Sequence, residues 1–363
     1  MLLIVTCKTR LQAIYGSNAY DRICEVLAVY GKTIRNNSGI EYDILAPDDP
    51  ASAHLSGIDP IGSGDASAIA AAIRAVRAHL AVDSVLLIGG PDIVPFHHLD
   101  NTVEGDGDPH VPSDNPYGCA TAEPARMFAP DIPVGRITGQ QGGGVQSLVD
   151  QIARITEFHR SIPPRAGAWA LGCATWSPFT TAVAATMNPG AVVWSSPASV
   201  VDGHTVADLG KQLLYFNLHG AANVAAWKGA GISGQTDAVT PASLAAADLN
   251  GAVVFAANCY GAHIAGKSAA DSCALAAVQA GARSFIGSTC FSYGAATSLL
   301  AVPQFSDQLA QLFFAKLATA SSAGWALQQA RVEYVKAVRV GGALEPKERK
   351  TALQFIFLGD PTL

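Results

Sequence analysis

Residues 83–90 read Asp83-Ser84-Val85-Leu86-Leu87-Ile88-Gly89-Gly90. Four large aliphatic residues in a row, with no polar alternate, make a strand buried on both faces, and the two glycines end it in a turn. A strand of that kind needs helices above and below it. Upstream, Leu2 to Thr6 is another apolar run of strand length, and Ile23, Val26, Leu27, Tyr30 and Ile34 recur at helical spacing within residues 19–34. Glu41 to Leu45 reads as a strand, and Ile69, Ile73, Val76 and Leu80 form one stripe of a helix over 65–80. Strand and helix therefore alternate, which predicts an α/β chain with a mostly parallel sheet.

Downstream, residues 91–130 are rich in Pro, Gly, Asp and Asn and predict a long loop with one short helix and no strand. A connection of that length is usually functional or mobile. The alternation resumes with a strand at 132–137 and a helix at 145–160, and Pro163-Pro164 then breaks the pattern. We place a boundary there, between residues 1–162 and 163–363. The second half repeats the scheme with strands at 169–174, 191–195, 213–218, 252–257, 284–287 and 354–358, and helices at 180–187, 206–211, 270–280, 305–318 and 325–337.

Composition narrows the function. Of 363 residues 49% are hydrophobic and only 14% charged, with a net charge of −6, so the chain can bury a large core and has no basic surface for nucleic acid. The longest uncharged stretch, 166–201, exceeds the length of a membrane span, but Pro178, Pro189 and Pro197 break it, and no membrane partner is expected. The start, MLLIVTCKTR, is a strand followed by charge and lacks the features of a signal peptide. Seven scattered cysteines match neither a disulfide framework nor a zinc pattern. These features give the expectation of a cytoplasmic protein.

Chemistry in an open parallel sheet gathers beyond the carboxyl ends of strands. Two such ends carry reactive groups. His219-Gly220 follows the strand LLYFNL, and Cys259 follows AVVFAAN. If these strands are neighbours, the imidazole can take the proton of the thiol, which is otherwise a weak nucleophile at neutral pH. Gly220 leaves room for a substrate carbonyl, and its amide with that of Cys259 could form an oxyanion hole. Spacing alone also allows a buried structural cysteine and a structural histidine.

The ordered set of segments resembles the gingipain-type cysteine peptidases of the caspase-like clan. Asn217-Leu218-His219-Gly220 and Ala256-Ala257-Asn258-Cys259-Tyr260-Gly261 match the clan's His-Gly and Cys strand ends. Leu86-Leu87-Ile88-Gly89-Gly90, Asp92-Ile93-Val94-Pro95, Ser113-Asp114, Tyr117-Gly118, Asp131 to Ile137, Gly287-Ser288-Thr289 and Leu358-Gly359-Asp360-Pro361 match in order. The resemblance implies a caspase-like three-layer sandwich of two similar sub-domains, the catalytic one being 163–363. It makes Cys259 the nucleophile and His219 the proton carrier of a cysteine endopeptidase. Ser288, Thr289, Cys290, Phe291, Ser292 and Tyr293 would line the substrate cleft and pair an extended peptide, and Trp227 would either wall the pocket or pack in the core. Protein or peptide is the implied substrate.

One departure bears on specificity. Relatives that cleave after Arg or Lys carry an acid in the loop matching Thr175 to Thr181, whereas no acid occurs here between Arg165 and Asp202. A neutral or apolar residue is therefore expected before the scissile bond, unless Asp202 or Asp237 reaches in. The signal, propeptide and immunoglobulin-like domain of secreted relatives are not seen, so a bare intracellular unit is expected, restrained by a regulatory partner or activating protease. The 91–130 loop is the candidate lid or cleavable segment. Two rival readings of the same thiolate are a catalytically silent binding module and an acyltransferase.

No cofactor is expected. Asp100, Glu104, Asp106 and Asp108 offer oxygen ligands that calcium could take, but their spacing is not that of an EF-hand, and a solvated turn is the preferred reading. His97, His98 and His110 read as loop residues, and Cys290 as a cleft-lining or redox-sensitive thiol.

Overall fold

The computed structural model describes residues 1–140, 142–196, 209–231, 234–295, 302–339 and 341–363. In chain order, the first half comprises β1 (Leu2–Val5), α1 (Lys8–Tyr15), α2 (Ala19–Ser38), β2 (Tyr42–Leu45), α3 (Pro50–Leu55), α4 (Ala66–Arg77), β3 (Ser84–Ile88), β4 (His97–Asp100), β5 (His110–Ser113), β6 (Val134–Ile137) and α5 (Gly144–Arg160). The second half continues with β7 (Ala168–Cys173), α6 (Ser177–Met187), β8 (Val192–Ser196), β9 (Leu213–Asn217), β10 (His219–Ala221), β11 (Val224–Gly231), β12 (Gly234–Val239), α7 (Pro241–Ala245) and β13 (Val253–Ala256). It ends with α8 (Cys273–Gln279), β14 (Ser284–Ser288), α9 (Ser306–Leu317), α10 (Ala323–Val338), α11 (Pro346–Gln354) and β15 (Phe355–Gly359).

Ten strands form one sheet in the order β2-β1-β3-β6-β15-β14-β13-β9-β7-β8. All neighbours are parallel except β14 and β15. Because β15 is parallel to β6 and antiparallel to β14, β2, β1, β3, β6 and β15 run one way and β14, β13, β9, β7 and β8 the other. The α/β reading with a mostly parallel sheet thus describes the chain, with helices on both faces. Alternation along the central strands shows why both faces are covered. Leu214, Phe216, Val254 and Ala256 join one buried cluster with α8, while Tyr215, Val253 and Phe255 join another with α9 and α10. Each fully buried Phe of this kind contributes about 1.5–3 kcal/mol.

The helices end where the sequence lets them. The side chain of Asp65 caps α4 by accepting from the Ala68 amide at 2.8 Å, and α2 stops at Gly39, whose φ of 66° suits glycine. Residues 206–208 of the helix expected over 206–211 lie outside the described residues.

The segment 91–130 departs from the expected strandless loop. It contains the antiparallel hairpin β4–β5, and its Thr289 Oγ1–Pro112 O and Ser113 Oγ–Leu353 O bonds, 2.7 and 2.6 Å, dock it on the second half. The strand signal was weak because His97-His98 and His110 interrupt any apolar alternation. A buried ion pair also fixes this segment. Arg136 on β6 is wholly buried and donates to Asp114 through Nε at 2.9 Å and to the carbonyls of Gly89 and Val94 at 2.8 Å.

Candidate active site

Parallel pairing of β9 with β13 puts Phe216 opposite Ala256. His219 and Cys259 therefore leave adjacent strand ends in step. The Leu218 amide donates to Asn258 Oδ1 at 2.8 Å, tying the two exits together. Both side chains line one cleft of about 270 Å³, together with Trp176, Gly220, Phe291 and Tyr293. Thiol and imidazole thus line the same cleft, and no hydrogen bond joins them.

Ser292 brackets the sulfur. Its amide donates to Cys259 Sγ at 3.3 Å, and its carbonyl oxygen lies 3.2 Å from the same atom, as an acceptor for the thiol proton. Burial raises the Cys259 thiol above the ordinary cysteine value, the Ser292 bond opposing it only in part. Burial also lowers the His219 imidazole. Both shifts favour the neutral forms, which suits proton transfer during attack rather than a standing thiolate–imidazolium pair. Trp176, from the turn after β7, packs on the His219 ring with centroids 4.4 Å apart. This is the loop whose missing acid set the specificity expectation, and it supplies an indole.

Gly220 has a sharper reason to be glycine than access for a substrate. A Cβ there would lie 1.9 Å from the Cys259 carbonyl oxygen. Gly220→Ala is expected to push the two strand ends apart and lower kcat/KM about 10²-fold, because a displacement near 1 Å at reacting atoms has that scale. Kinetics on folded protein, checked by circular dichroism, measures it; a loss below threefold would refute the close fit. Tyr260 meanwhile holds φ at 55°, a costly conformation for a non-glycine residue, directly after the nucleophile.

The segment 288–293 divides. Phe291, Ser292 and Tyr293 line the cleft, whereas Ser288 is buried beneath it, donating to the carbonyl of Asn258 at 2.6 Å. Thr289 and Cys290 face a separate cavity of about 680 Å³ on the other side of the Tyr260 turn. Cys290 is buried, its thiol pushed up to about 12 by that burial, which corrects its reading as a cleft-lining or redox-sensitive group. Trp227 is likewise corrected. It is 3% exposed and packs between Phe216 and Phe285, with ring centroids at 5.1 and 6.3 Å, so it belongs to the core.

Sequence reasoning missed Asp307, at the start of α9. Its carboxyl lies at the cleft floor, accepting from Tyr215 Oη at 2.8 Å and from the Ala295 amide at 3.0 Å. Burial raises it to about 6 against those bonds. An acid opening an apolar helix was the available signal. Asp237 is exposed and pairs with Lys228 at 2.7 Å, while Asp202 lies outside the described residues.

Asp106 and Asp108 do not sit in a solvated turn. They converge on the ammonium of Lys350, with Asp108 Oδ2 at 2.7 Å. Among the described residues no group of three or more His, Cys, Asp or Glu side chains is arranged to hold a metal ion. All seven cysteines are free, and no described helix is long and apolar enough to cross a membrane.

With this geometry in hand, comparison with known proteins gives a consistent result. A model of peptidase family C25 matches residues 52–363. Among solved structures, the complex of the pro- and mature domains of RgpB from Porphyromonas gingivalis aligns with a TM-score of 0.68 at 14% identity, covering 100% of this chain and 79% of that one. The Arg-specific cysteine proteinase gingipain R aligns with a TM-score of 0.65 at 13% identity, covering 99% and 77%. No curated protein sequence matches.

Proposed function

Since the chain belongs to peptidase family C25 and is a cysteine peptidase, we propose that Cys259 and His219 carry its endopeptidase chemistry. The observation that supports this best is that β9 and β13, paired in register, deliver the two side chains to one cleft with Ser292 bracketing the sulfur. In this reading the Cys259 sulfur attacks the scissile carbonyl carbon while its proton passes to His219. The amides of Gly220 and Cys259 receive the developing oxyanion. His219 then protonates the leaving nitrogen, and a thioester remains on Cys259. Water, giving a proton to His219, attacks the thioester, releases the carboxylate product and restores the thiol.

The substrate is a protein or peptide segment lying along Phe291 to Tyr293 as an added strand. We propose a neutral or apolar residue before the scissile bond. The acid at the cleft floor, Asp307, is 1% exposed, already accepts two hydrogen bonds, and titrates near pH 6. It is a poor countercharge for a guanidinium or ammonium group. A peptide library profiled between pH 5 and 8 is expected to show neutral side chains dominating throughout. Since the raised Asp307 pKa means the anion is favoured above about pH 6, a Lys or Arg preference that grows across that value would assign the specificity to Asp307 and overturn this reading.

Two looser expectations accompany it. Free cysteines throughout support a reducing, cytoplasmic setting. The likeness to a mature domain solved with its pro-domain supports restraint by a regulatory segment or partner.

A further inference from the structure

One face of α11 underlies the cleft wall. Lys350 and Gln354 are one helical turn apart, so their side chains share that face. Gln354 donates to Ser292 Oγ at 3.2 Å, accepts from Cys290 Sγ at 3.2 Å, and its carbonyl accepts from the Thr289 amide at 3.0 Å. The Lys350 ammonium reaches the same wall indirectly. It lies 5.8 Å from the ring centroid of Phe291 and 5.9 Å from that of Tyr293, and binds Asp106 and Asp108 from the turn between β4 and β5.

Those two carboxylates then hold the cleft. Asp108 Oδ1 accepts from Tyr260 Oη at 2.7 Å, and Asp108 Oδ2 accepts from the Phe291 amide at 2.9 Å. Asp106 Oδ2 accepts from Tyr293 Oη at 3.3 Å, and Asp106 Oδ1 from Asn101 Nδ2 at 2.6 Å and the Asp108 amide at 3.1 Å. Of these donors, Tyr260 is the residue after the nucleophile, and Phe291 and Tyr293 are the two aromatic walls. Lys350 is 2% exposed and would be costly to bury without both partners.

We propose that Lys350, Asp106 and Asp108 form a positioning clamp that sets the substrate-binding wall Phe291–Tyr293 relative to Cys259. The clamp rests on the peptidase reading above and deepens it, because it makes the 91–130 segment a built-in part of the substrate site. It touches no reacting atom. Its loss should therefore weaken peptide binding more than it changes the thiol.

The test uses the full chain and a peptide chosen from the library. Wild type and Cys259→Ala are compared first, since a wild type without Cys259-dependent turnover sinks the peptidase reading and the clamp's role in substrate binding with it. Two variants follow. Asp108→Asn keeps an acceptor oxygen in place, and the triple Asp106→Asn, Asp108→Asn, Lys350→Met removes all three charges together, so that no buried charge is stranded. Both are expected to raise KM about 10-fold or more with kcat within about threefold, the signature of lost binding. Alkylation of Cys259 by iodoacetamide should stay within about twofold of wild type, because that small electrophile does not use the wall. An unchanged KM in soluble triple variant sinks the clamp alone. A parallel fall of kcat and alkylation also overturns it, since that would show general disruption of the cleft.

Discussion

Replacing Cys259 by alanine is expected to lower peptide hydrolysis by about 10⁴-fold or more while leaving the fold intact, since a displacement without its nucleophile keeps only binding and oxyanion contributions. The side chain lies just beyond β13, its sulfur bonded, among the described residues, only to the Ser292 backbone, so its removal leaves no charge unpaired. His219→Ala should cost about 10²–10⁴-fold, the range for a positioned proton carrier. A pH profile separates this mechanism from a preformed thiolate. Burial lifts the Cys259 thiol above its usual value and lowers the His219 imidazole. Iodoacetamide alkylation of the resting enzyme should therefore keep rising with pH beyond the ordinary cysteine midpoint, with no plateau near neutrality. Neutral His219 should persist to a pH below the ordinary imidazole value, so peptide turnover should survive into mildly acidic solution. An alkylation plateau between pH 5 and 7 would indicate a thiolate–imidazolium pair and would overturn the neutral-pair mechanism. Turnover surviving in Cys259→Ala would remove the residue from the mechanism altogether.

The parts of this site that sequence revealed are those where one strand dictates one residue's position. Val85 to Ile88, Leu213 to Phe216 and Val253 to Ala257 are apolar without interruption, so their burial on both faces can be read directly. His219, Gly220 and Cys259 were found that way. Residues whose role depends on a distant partner could not be. Lys350 lies in the polar run Pro346 to Lys350, whose charges carry no sign of burial, yet its ammonium is buried against carboxylates more than two hundred positions away. Asp106 and Asp108 read as a hydrophilic turn for the same reason. Trp227 misled in the opposite direction, because an indole eight positions after His219 fits a pocket wall as well as it fits the core behind β9. Only β11 decides. Its hydrogen bonding with β10 and β12 turns Trp227 onto Phe216 and Phe285, while Trp176 takes the place beside the imidazole.

The largest stability effect is expected at Arg136 and Asp114. Arg136 is wholly buried on β6, and Asp114 is 4% exposed. The guanidinium meets the carboxylate through Nε at 2.9 Å and Nη2 at 2.5 Å, a two-pronged pairing, and its remaining arm donates to the carbonyls of Gly89 and Val94. The Phe96 ring lies 4.8 Å from the guanidinium carbon. These contacts join β3, β6 and the start and middle of the 91–130 segment at one atom group. Asp114→Ala strands a cation where water cannot reach it, and should cost about 3–5 kcal/mol. Arg136→Met should cost a similar amount, because it strands the carboxylate and leaves two buried carbonyls without a donor. The double variant Asp114→Ala with Arg136→Met strands no charge and should recover part of the loss, so the two changes should be clearly non-additive. Urea unfolding of the full chain, followed by fluorescence, measures all three. Because the hairpin carrying Asp106 and Asp108 lies between Val94 and Asp114, the single variants should also loosen the cleft wall before global unfolding, seen as KM rising at urea concentrations where the fluorescence is still native. Losses below about 1 kcal/mol for both singles would show that water reaches the pair and that the segment is held by its other contacts.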